Sequence, residues 1–136
     1  MSALTQARDT REIAAGGIHY TREFTVATGS TVYAGAITAL NSSGKAVPAT
    51  SSGALTVIGR AENTASAGET VKTRSGMFLY NPVSSGAIAA TDLNKTCYVA
   101  DDQTVTLTSG TSAVIAGTIR GIADGGVVAE IGNGPR

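Results

Sequence analysis

Short alternations of apolar and polar residues recur along the chain from Ile18 onward. Tyr20, Phe24 and Val26 alternate with polar residues, and Thr70–Arg74 alternates in the same way. A period of two residues is typical of half-buried β-strands. Clusters of glycine, serine and asparagine interrupt these runs and favour turns. The pattern therefore predicts roughly nine or ten short strands, spaced about ten residues apart.

Glycine and proline within these segments predict where strands bend or lie at a sheet edge. Gly35 and Gly117 are expected to bend their strands, and the strand that contains Pro48 is expected to be short or at a sheet edge, because proline lacks the N–H of a ladder. Leu55–Ala61 is expected to be the central strand of its half, and residues 63–68 are expected to form a loop. The predicted strands are Ile18–Val26, Val32–Leu40, Lys45–Ala49, Leu55–Ala61, Thr70–Arg74, Met77–Tyr80, Thr96–Ala100, Thr104–Thr108, Ala113–Ile122 and Val127–Ile131.

The spacing of the strands predicts an all-β, single-domain protein, either a β-sandwich or a small barrel. At most one short helix is expected, near residues 91–95, with Thr91 as its N-cap and Asp92 in its first turn. Residues 1–17 show no clear period and are interpreted as an extended N-terminal arm. Residues 18–132 are interpreted as the β domain and residues 133–136 as a C-terminal tail.

Composition and charge narrow the classes of function. The 136 residues contain ten basic and ten acidic side chains, so no basic surface is expected to bind nucleic acid. No run approaches the roughly 18 apolar residues of a membrane span, and the N-terminus lacks the apolar core of a signal peptide. Cys97 is the single cysteine, which excludes an intramolecular disulfide and a cysteine-based metal cluster. We expect a protein that is made in a reducing cytoplasm and binds neither nucleic acid nor membranes.

Catalytic residue types are scarce. Ser43–Lys45 is similar to the end of a nucleotide-binding P-loop, but the first glycine and the Ser/Thr metal ligand are missing, so a turn between strands is the better interpretation. His19 is the single histidine, and Cys97 lies in an apolar strand, where a buried, inert thiol is expected rather than a dyad with His19.

Acidic and aromatic residues give equally weak indications of a site. Asp101, Asp102 and Asp124 could bind a cation, but their spacing fits no known calcium loop, and adjacent acids in a hairpin turn are expected to be solvated. Aromatic residues are 4% of the chain and tryptophan is absent, which argues against a carbohydrate platform. No cofactor is predicted, and the protein is expected not to be an enzyme.

Several segments together resemble one family. They are Ala34–Ala49, Leu55–Glu62, Asn94–Val105, Ala116–Ile119 and Gly126–Ile131. These segments are similar to those of the cement, or head-decoration, proteins that bind the outside of tailed-phage capsids. The resemblance covers about residues 32–131, and the N-terminal arm lies outside it. Val127-Val128 stands where close relatives usually carry an aromatic residue.

The resemblance implies a β-sandwich or β-tulip-like domain without enzymatic activity. It implies a structural virion protein on the capsid exterior, with the major capsid protein as partner, that bridges capsid subunits and stabilises the expanded shell. A homo-oligomer is expected, and a trimer is favoured over a dimer. The arm is expected to order only on binding, and deletion of residues 1–15 is expected to leave a folded domain that binds shells poorly. Its expected contact residues, with the capsid or between copies, are Leu4, Thr5, Arg8, Arg11 and Ile13.

Two other classes of function stay open at this point. A β-rich tail or baseplate module has a similar composition and differs by its location in the virion. A sugar-binding module or small hydrolase is less favoured, and it predicts a concave pocket with clustered acids or aromatics.

Overall fold

The computed structural model describes residues 3–14, 20–82, 88–107, 114–123 and 125–133, with the backbone alone at residues 13 and 14. Across these residues the chain is nearly all β, with one 3₁₀ turn at Ala90–Asp92, so the all-β prediction is confirmed. The strands are β1 (Glu12–Ala14), β2 (Thr21–Thr25), β3 (Thr31–Val32), β4 (Ile37–Leu40), β5 (Ala46–Pro48), β6 (Thr56–Ala61), β7 (Ala65–Ser66), β8 (Thr70–Arg74), β9 (Gly76–Pro82), β10 (Thr96–Asp101), β11 (Thr104–Thr106), β12 (Ile115–Ala123) and β13 (Gly126–Ile131).

The larger sheet closes on itself. Its strands follow the order β1-β9-β11-β10-β12-β13, and β13 also pairs with β9. Hydrogen bonding therefore runs around a barrel-like ring formed by β9, β11, β10, β12 and β13. β9 pairs antiparallel with β13 through residues 76–80 and parallel with β11 through Asn81 and Pro82. β1 lies outside the ring, paired with β9 at Met77 and Phe78.

The second sheet has the order β2-β8-β6-β4-β5. An isolated parallel bridge between Val26 and Ala46 links its two outer strands, and the Ala27 N–H donates to the Ala46 carbonyl oxygen at 2.9 Å. β3 and β7 form a separate two-stranded ribbon. β6 contacts both β12 and β13, which joins the second sheet to the ring.

Two apolar clusters fill the molecule. β4 contributes Ile37 and Ala39 to the main core, whereas Ala36, just before it, belongs to the second core. The main core consists of Ile37, Ala39, Ala49, Phe78, Tyr80, Ile88, Cys97, Val99, Val105, Val114, Ala116, Ile119, Val127, Ala129 and Ile131. The second consists of Val26, Val32, Ala36, Ala46, Ala61, Ala65 and Val71. The stretch around β4 therefore packs on both sides, which explains its run of small and β-branched residues.

Several local predictions are confirmed. β6 is central in the second sheet, and β5, with Pro48, is its last strand. Gly35 has φ +93° and separates β3 from β4. Two strands were missed: β7 lies in the stretch predicted as a loop over residues 63–68, and β1 lies in the arm. Both are too short to show a period of two residues.

The predicted helix near 91–95 is corrected to a 3₁₀ turn over Ala90–Asp92 whose N-cap is Ala89, so Thr91 lies within the turn and does not cap it. The carboxylate of Asp92 sets this boundary, because its Oδ2 accepts the Ala89 N–H at 2.8 Å and its Oδ1 accepts Lys95 Nζ at 3.0 Å. The hydrogen bond from Ala89, followed by that from Lys95, lowers the pKa of Asp92.

Gly117 and Gly121 on β12 provide a matched test of the ring closure. A Cβ at Gly117 would overlap the carbonyl oxygen of Glu130 on β13, whereas a Cβ at Gly121 would meet Val128 Cβ at an ordinary 3.8 Å. We expect Gly117→Ala to lower the free energy of unfolding by about 2–3 kcal/mol and Gly121→Ala to lower it by less than about 1 kcal/mol. Urea unfolding of both variants measures this, and equal losses would contradict the packing of β12 on β13.

Candidate functional site

The N-terminal arm is bound to its own domain. Residues 4–12 lie on a surface that we call the arm groove, formed by Ala34-Gly35, Arg60, Phe78–Asn81 and Asp102. The residues of the groove come from the segment before β4, from β6, from β9 and from the β10–β11 turn. These parts of the body belong to different sheets, so the arm connects elements that are distant in sequence.

Burial alternates along most of the arm, as in an edge strand. Gln6 is also exposed and interrupts the alternation near its start. The residues facing the groove are partly or fully buried: Leu4, Arg8, Thr10 and Glu12. The residues of the outward face are exposed: Thr5, Ala7, Asp9 and Arg11. The docked arm therefore has one face for its own domain and one face for solvent.

Backbone hydrogen bonds fix the path of the arm. The Arg8 N–H donates to the Ala34 carbonyl oxygen at 2.7 Å, and the Leu79 N–H donates to the Arg11 carbonyl oxygen at 2.9 Å. The arm then joins the large sheet, where Glu12 lies opposite Phe78. These bonds satisfy part of the edge of β9, which would otherwise expose a row of unpaired backbone groups.

The guanidinium of Arg8 reaches over β9. Its Nη1 donates to the Leu79 carbonyl oxygen at 3.0 Å and to Thr10 Oγ1 at 2.9 Å, and its Nη2 lies 3.3 Å from Asn81 Oδ1. Its Cζ lies 5.5 Å from the centroid of the Tyr80 ring, within the range of a cation–π interaction. Arg8 is therefore committed to holding the arm on the body.

Arg60 makes the matching contact from the body. Its Nη1 donates to the Thr10 carbonyl oxygen at 2.7 Å, and its Nη2 lies 2.9 Å from each carboxylate oxygen of Glu62. Its Cζ lies 4.3 Å from the centroid of the Phe78 ring. Phe78 and Tyr80 are two residues apart on β9 and face the same way, so two guanidinium groups cover two adjacent buried rings.

Gly35 is the point of closest approach between arm and body. Its carbonyl oxygen accepts Thr10 Oγ1 at 2.7 Å and the Tyr80 hydroxyl at 3.4 Å. A Cβ at this position would overlap the Arg8 carbonyl oxygen and lie 2.7 Å from Thr10 Oγ1. Glycine is thus required both by the positive φ and by the packing of the arm. Burial raises the pKa of Tyr80, which keeps its hydroxyl available as a donor.

Asp102 anchors the start of the arm and corrects a prediction. Adjacent acids in the β10–β11 turn were expected to be solvated, yet Asp102 is only 1% exposed. Its Oδ1 accepts the Leu4 N–H at 2.9 Å, and its carbonyl oxygen accepts the Ile37 N–H at 2.8 Å. Burial raises the pKa of the Asp102 carboxyl, against the opposing effect of the Leu4 N–H, and the charge of Asp101 raises it further.

The disfavoured cation site of Asp101, Asp102 and Asp124 cannot be followed as a group in the structure. Asp124 lies outside the described residues, and Asp101 Oδ1 accepts the Gln103 N–H at 3.0 Å within the turn. Among the described residues, no group of three or more His, Cys, Asp or Glu side chains is placed to hold a metal ion.

The other residues considered for chemistry are Cys97, His19 and Ser43–Lys45. Cys97 is fully buried in the main core, and burial raises the pKa of its thiol to about 11, so the thiolate is disfavoured at neutral pH. His19 lies outside the described residues, so the dyad with Cys97 is not addressed. Ser43–Lys45 belongs to the turn between β4 and β5, where Asn41 Oδ1 accepts the N–H groups of Ser43 and Lys45, each at 3.0 Å.

A shallow surface depression of about 580 Å³ lies beside β2, β6 and β8, lined by Glu23, Glu62, Asn63, Thr70 and Lys72. Two of its polar side chains are used within the fold: Asn63 Oδ1 accepts the Lys72 N–H at 2.8 Å, and Glu62 binds Arg60. Over the described segments, no helix has the length and apolar character needed to cross a membrane.

The structure divides the predicted contact residues between two roles. Leu4 packs against the second core and Arg8 holds the groove, whereas Thr5 and Arg11 lie on the exposed outward face. The side chain of Ile13 lies outside the described residues. The sequence analysis did not identify the arm contacts of Thr10, Gly35, Arg60 and Asp102. The even spacing of Leu4, Arg8, Thr10 and Glu12 could have indicated the inner face of the arm, but this signal is weak because three of these four residues are polar.

The expectation that the arm orders only on binding is corrected for residues 4–12, because these residues already complete the hydrogen bonding of the body. That deletion of residues 1–15 leaves a folded domain that binds shells poorly stays a prediction, and the arm contacts indicate that the remaining domain would lose stability. Deletion would leave Asp102 and the Gly35 carbonyl without their arm partners and would expose part of β9. The limits of arm, domain and tail at residues 17 and 132 stay a prediction.

No model of a known protein family matches the chain, and no curated protein is significantly similar to it. The segments on which the expected resemblance to cement proteins was based form strands of both sheets. Ala34–Ala49 contains β4 and β5, Leu55–Glu62 contains β6, and Asn94–Val105 contains β10 and most of β11. Each of them contributes residues to the cores or to the arm groove.

Gly35 allows the docking of the arm to be tested with a matched control. Gly35→Ala and Gly44→Ala both place alanine at positive φ, +93° and +77°, but Gly44 has open space where a Cβ would lie. We expect Gly44→Ala to cost about 1 kcal/mol and Gly35→Ala at least about 2 kcal/mol more. Hydrogen exchange at the Arg8 amide should be faster in Gly35→Ala alone. Equal stability and equal exchange in both variants would contradict the close approach.

Asp102 predicts a pH dependence of stability. Because the pKa of Asp102 is raised in the folded protein, the folded state holds this proton more tightly than the unfolded chain does. The stability that the protonated carboxyl contributes is therefore fully present below the ordinary pKa of 3.8, and it is lost as the pH rises through the raised pKa. Asp102→Asn keeps an acceptor for the Leu4 N–H but does not titrate. Urea unfolding from about pH 3.5 to 7 should show the variant gaining stability relative to the wild type. A difference independent of pH would contradict the burial of this carboxylate.

Proposed function

We propose that this protein is a structural virion protein that binds the outer surface of a tailed-phage capsid and stabilises the expanded shell by bridging major capsid subunits. The observation that carries the proposal is the resemblance of several segments to cement proteins, of which Asn94–Val105 is the most specific. In the fold this segment is the β10–β11 hairpin, and Cys97, Val99 and Val105 from it lie in the main core.

The chemistry of the described residues supports a binding role rather than a catalytic one. Three of the groups considered for catalysis or ligand binding have a structural use among the described residues. Cys97 fills the core, Ser43–Lys45 forms a hairpin turn, and Asp102 anchors the arm. The closed ring and the docked arm pair both edges of β9 over part of its length, which suits a protein that must stay folded while bound to a strained shell.

The docked arm supports a revised assignment of the capsid contact. Its outward face, which carries Thr5, Ala7, Asp9 and Arg11, is exposed while its inner face is held by the body. An ordered surface loses less conformational entropy on binding than a segment that must fold first. We therefore assign the shell contact to the outward face, and we assign Leu4 and Arg8 to holding the arm in place. Homo-oligomers, with trimers favoured over dimers, would multiply such contacts.

The test uses purified heads of the parent phage with and without the protein. Heads carrying the protein should release DNA at a higher temperature than bare heads, because the bridged subunits resist the internal pressure. Cryo-microscopy of the same particles should place the protein on the outer surface of the shell. Equal DNA release, or density on the tail instead of the shell, would overturn the proposal.

The outward face is tested with a charge-matched pair of variants. Thr5→Glu combined with Ala7→Glu adds two acids to this face, and Ser42→Glu combined with Ser43→Glu adds two acids to the exposed β4–β5 turn. We expect the arm variant to lower occupancy on heads about tenfold or more, because buried carboxylates at an interface cost binding free energy, and the turn variant to bind normally. Urea midpoints of both should stay near the wild type. Equal occupancy would contradict the assignment of the outward face.

A further inference from the structure

We propose that the arm groove also accepts the arm of a second copy of this chain, so that molecules are joined by exchanged arms. This inference concerns contacts between copies, and it goes beyond the proposed capsid binding. It rests on three properties of the groove: it needs an occupant, it is specific for this segment, and the chain that connects arm and body has spare length.

The groove is costly to leave empty. Without an arm, the buried Asp102 carboxylate would lose the Leu4 N–H, and the Gly35 carbonyl would lose Thr10 Oγ1. Arg60 Nη1 would lose the Thr10 carbonyl oxygen, and β9 would lose its pairing with β1. Buried polar groups that lose partners destabilise a fold, so a replacement strand stabilises any state in which an arm leaves its own body.

The replacement must match a specific pattern. The groove binds an extended segment with an apolar residue that reaches the second core, then an arginine, a threonine and an acid at alternate positions. The acid completes an ion pair, in which Arg74 Nη1 lies 3.1 Å from Glu12 Oε1. Leu4, Arg8, Thr10 and Glu12 of a second copy reproduce every one of these contacts. The second copy is therefore the occupant that fits best by shape, charge and hydrogen bonding.

The connection between arm and body is longer than its own docking requires. Ala14 lies opposite Met77, and the Tyr20 carbonyl oxygen accepts the Ser75 N–H at 2.9 Å. Positions 75 and 77 are separated by about 7 Å along a strand. The chain from residue 14 to residue 20 can span up to about 20 Å. An arm that re-forms all its contacts on a neighbouring body keeps the contact energy and loses only the entropy of association, so the share of exchanged molecules should rise with protein concentration.

The exchange is tested on full-length chains in which Cys97→Ala removes the native thiol, so that each chain carries only the cysteine introduced at one of two register partners. One chain carries Ala14→Cys, and a second, distinguishable by a tag, carries Met77→Cys. The two are unfolded together in urea, refolded at a series of protein concentrations and oxidised, and the linked peptides are identified by mass spectrometry. A disulfide between residue 14 of one chain and residue 77 of the other forms in this register only when an arm docks in trans.

We expect the cross-chain disulfide to increase with protein concentration. Gly35→Ala in the Met77→Cys chain should reduce it about tenfold, since the groove is then blocked, and Gly44→Ala should leave it unchanged. A single chain carrying both cysteines should form the intrachain disulfide when dilute, which checks the register. Cross-linking no greater than in the Gly35→Ala mixture at every concentration would overturn the inference. This assay contains no capsid. A negative result therefore does not affect the proposed capsid binding, and a protein that fails to bind capsids can still give a positive result here.

Discussion

Two guanidinium groups over two buried aromatic rings hold the parts of this protein together. Phe78 and Tyr80 project from β9 into the main core, and Arg60 and Arg8 lie against them, one from the body and one from the arm. Because both arginines also bind arm or β9 backbone, the same contacts that cover the rings fix the path of residues 4–12. Loss of this arrangement would uncover the core and unpair the arm together.

β9 has this central position because of its hydrogen bonding. It pairs with β13, β11 and β1, and so it closes the ring of the large sheet and receives the arm. A strand with three partners leaves little free edge, which limits aggregation through exposed backbone. The arm is thus a structural part of the sheet, and its exposed outward face is available to another molecule without any loss of these contacts.

The candidate site was only partly predictable from sequence. Leu4, Thr5, Arg8 and Arg11 were placed together because they lie in one segment, but nothing local shows that Leu4 and Arg8 turn inward while Thr5 and Arg11 turn outward. Polar residues on both faces hide the alternation. Asp102 was expected in water because acids in hairpin turns usually are solvated, and the Leu4 amide, which comes from a distant part of the chain, stabilises it when buried.

The sequence alone determined the class of the fold and the positions of most of its strands along the chain. Period-two alternation, β-branched residues and turn clusters act over a few neighbouring residues, so β6 as a central strand, Pro48 in a final strand and the bend at Gly35 could be read from local chemistry. The tertiary structure decided what depends on distant partners: the closure of β13 onto β9, the pairing of β1, and the arm groove. These contacts join residues far apart in the chain, and their free energy exists only when both sides are in place, so no local pattern records them.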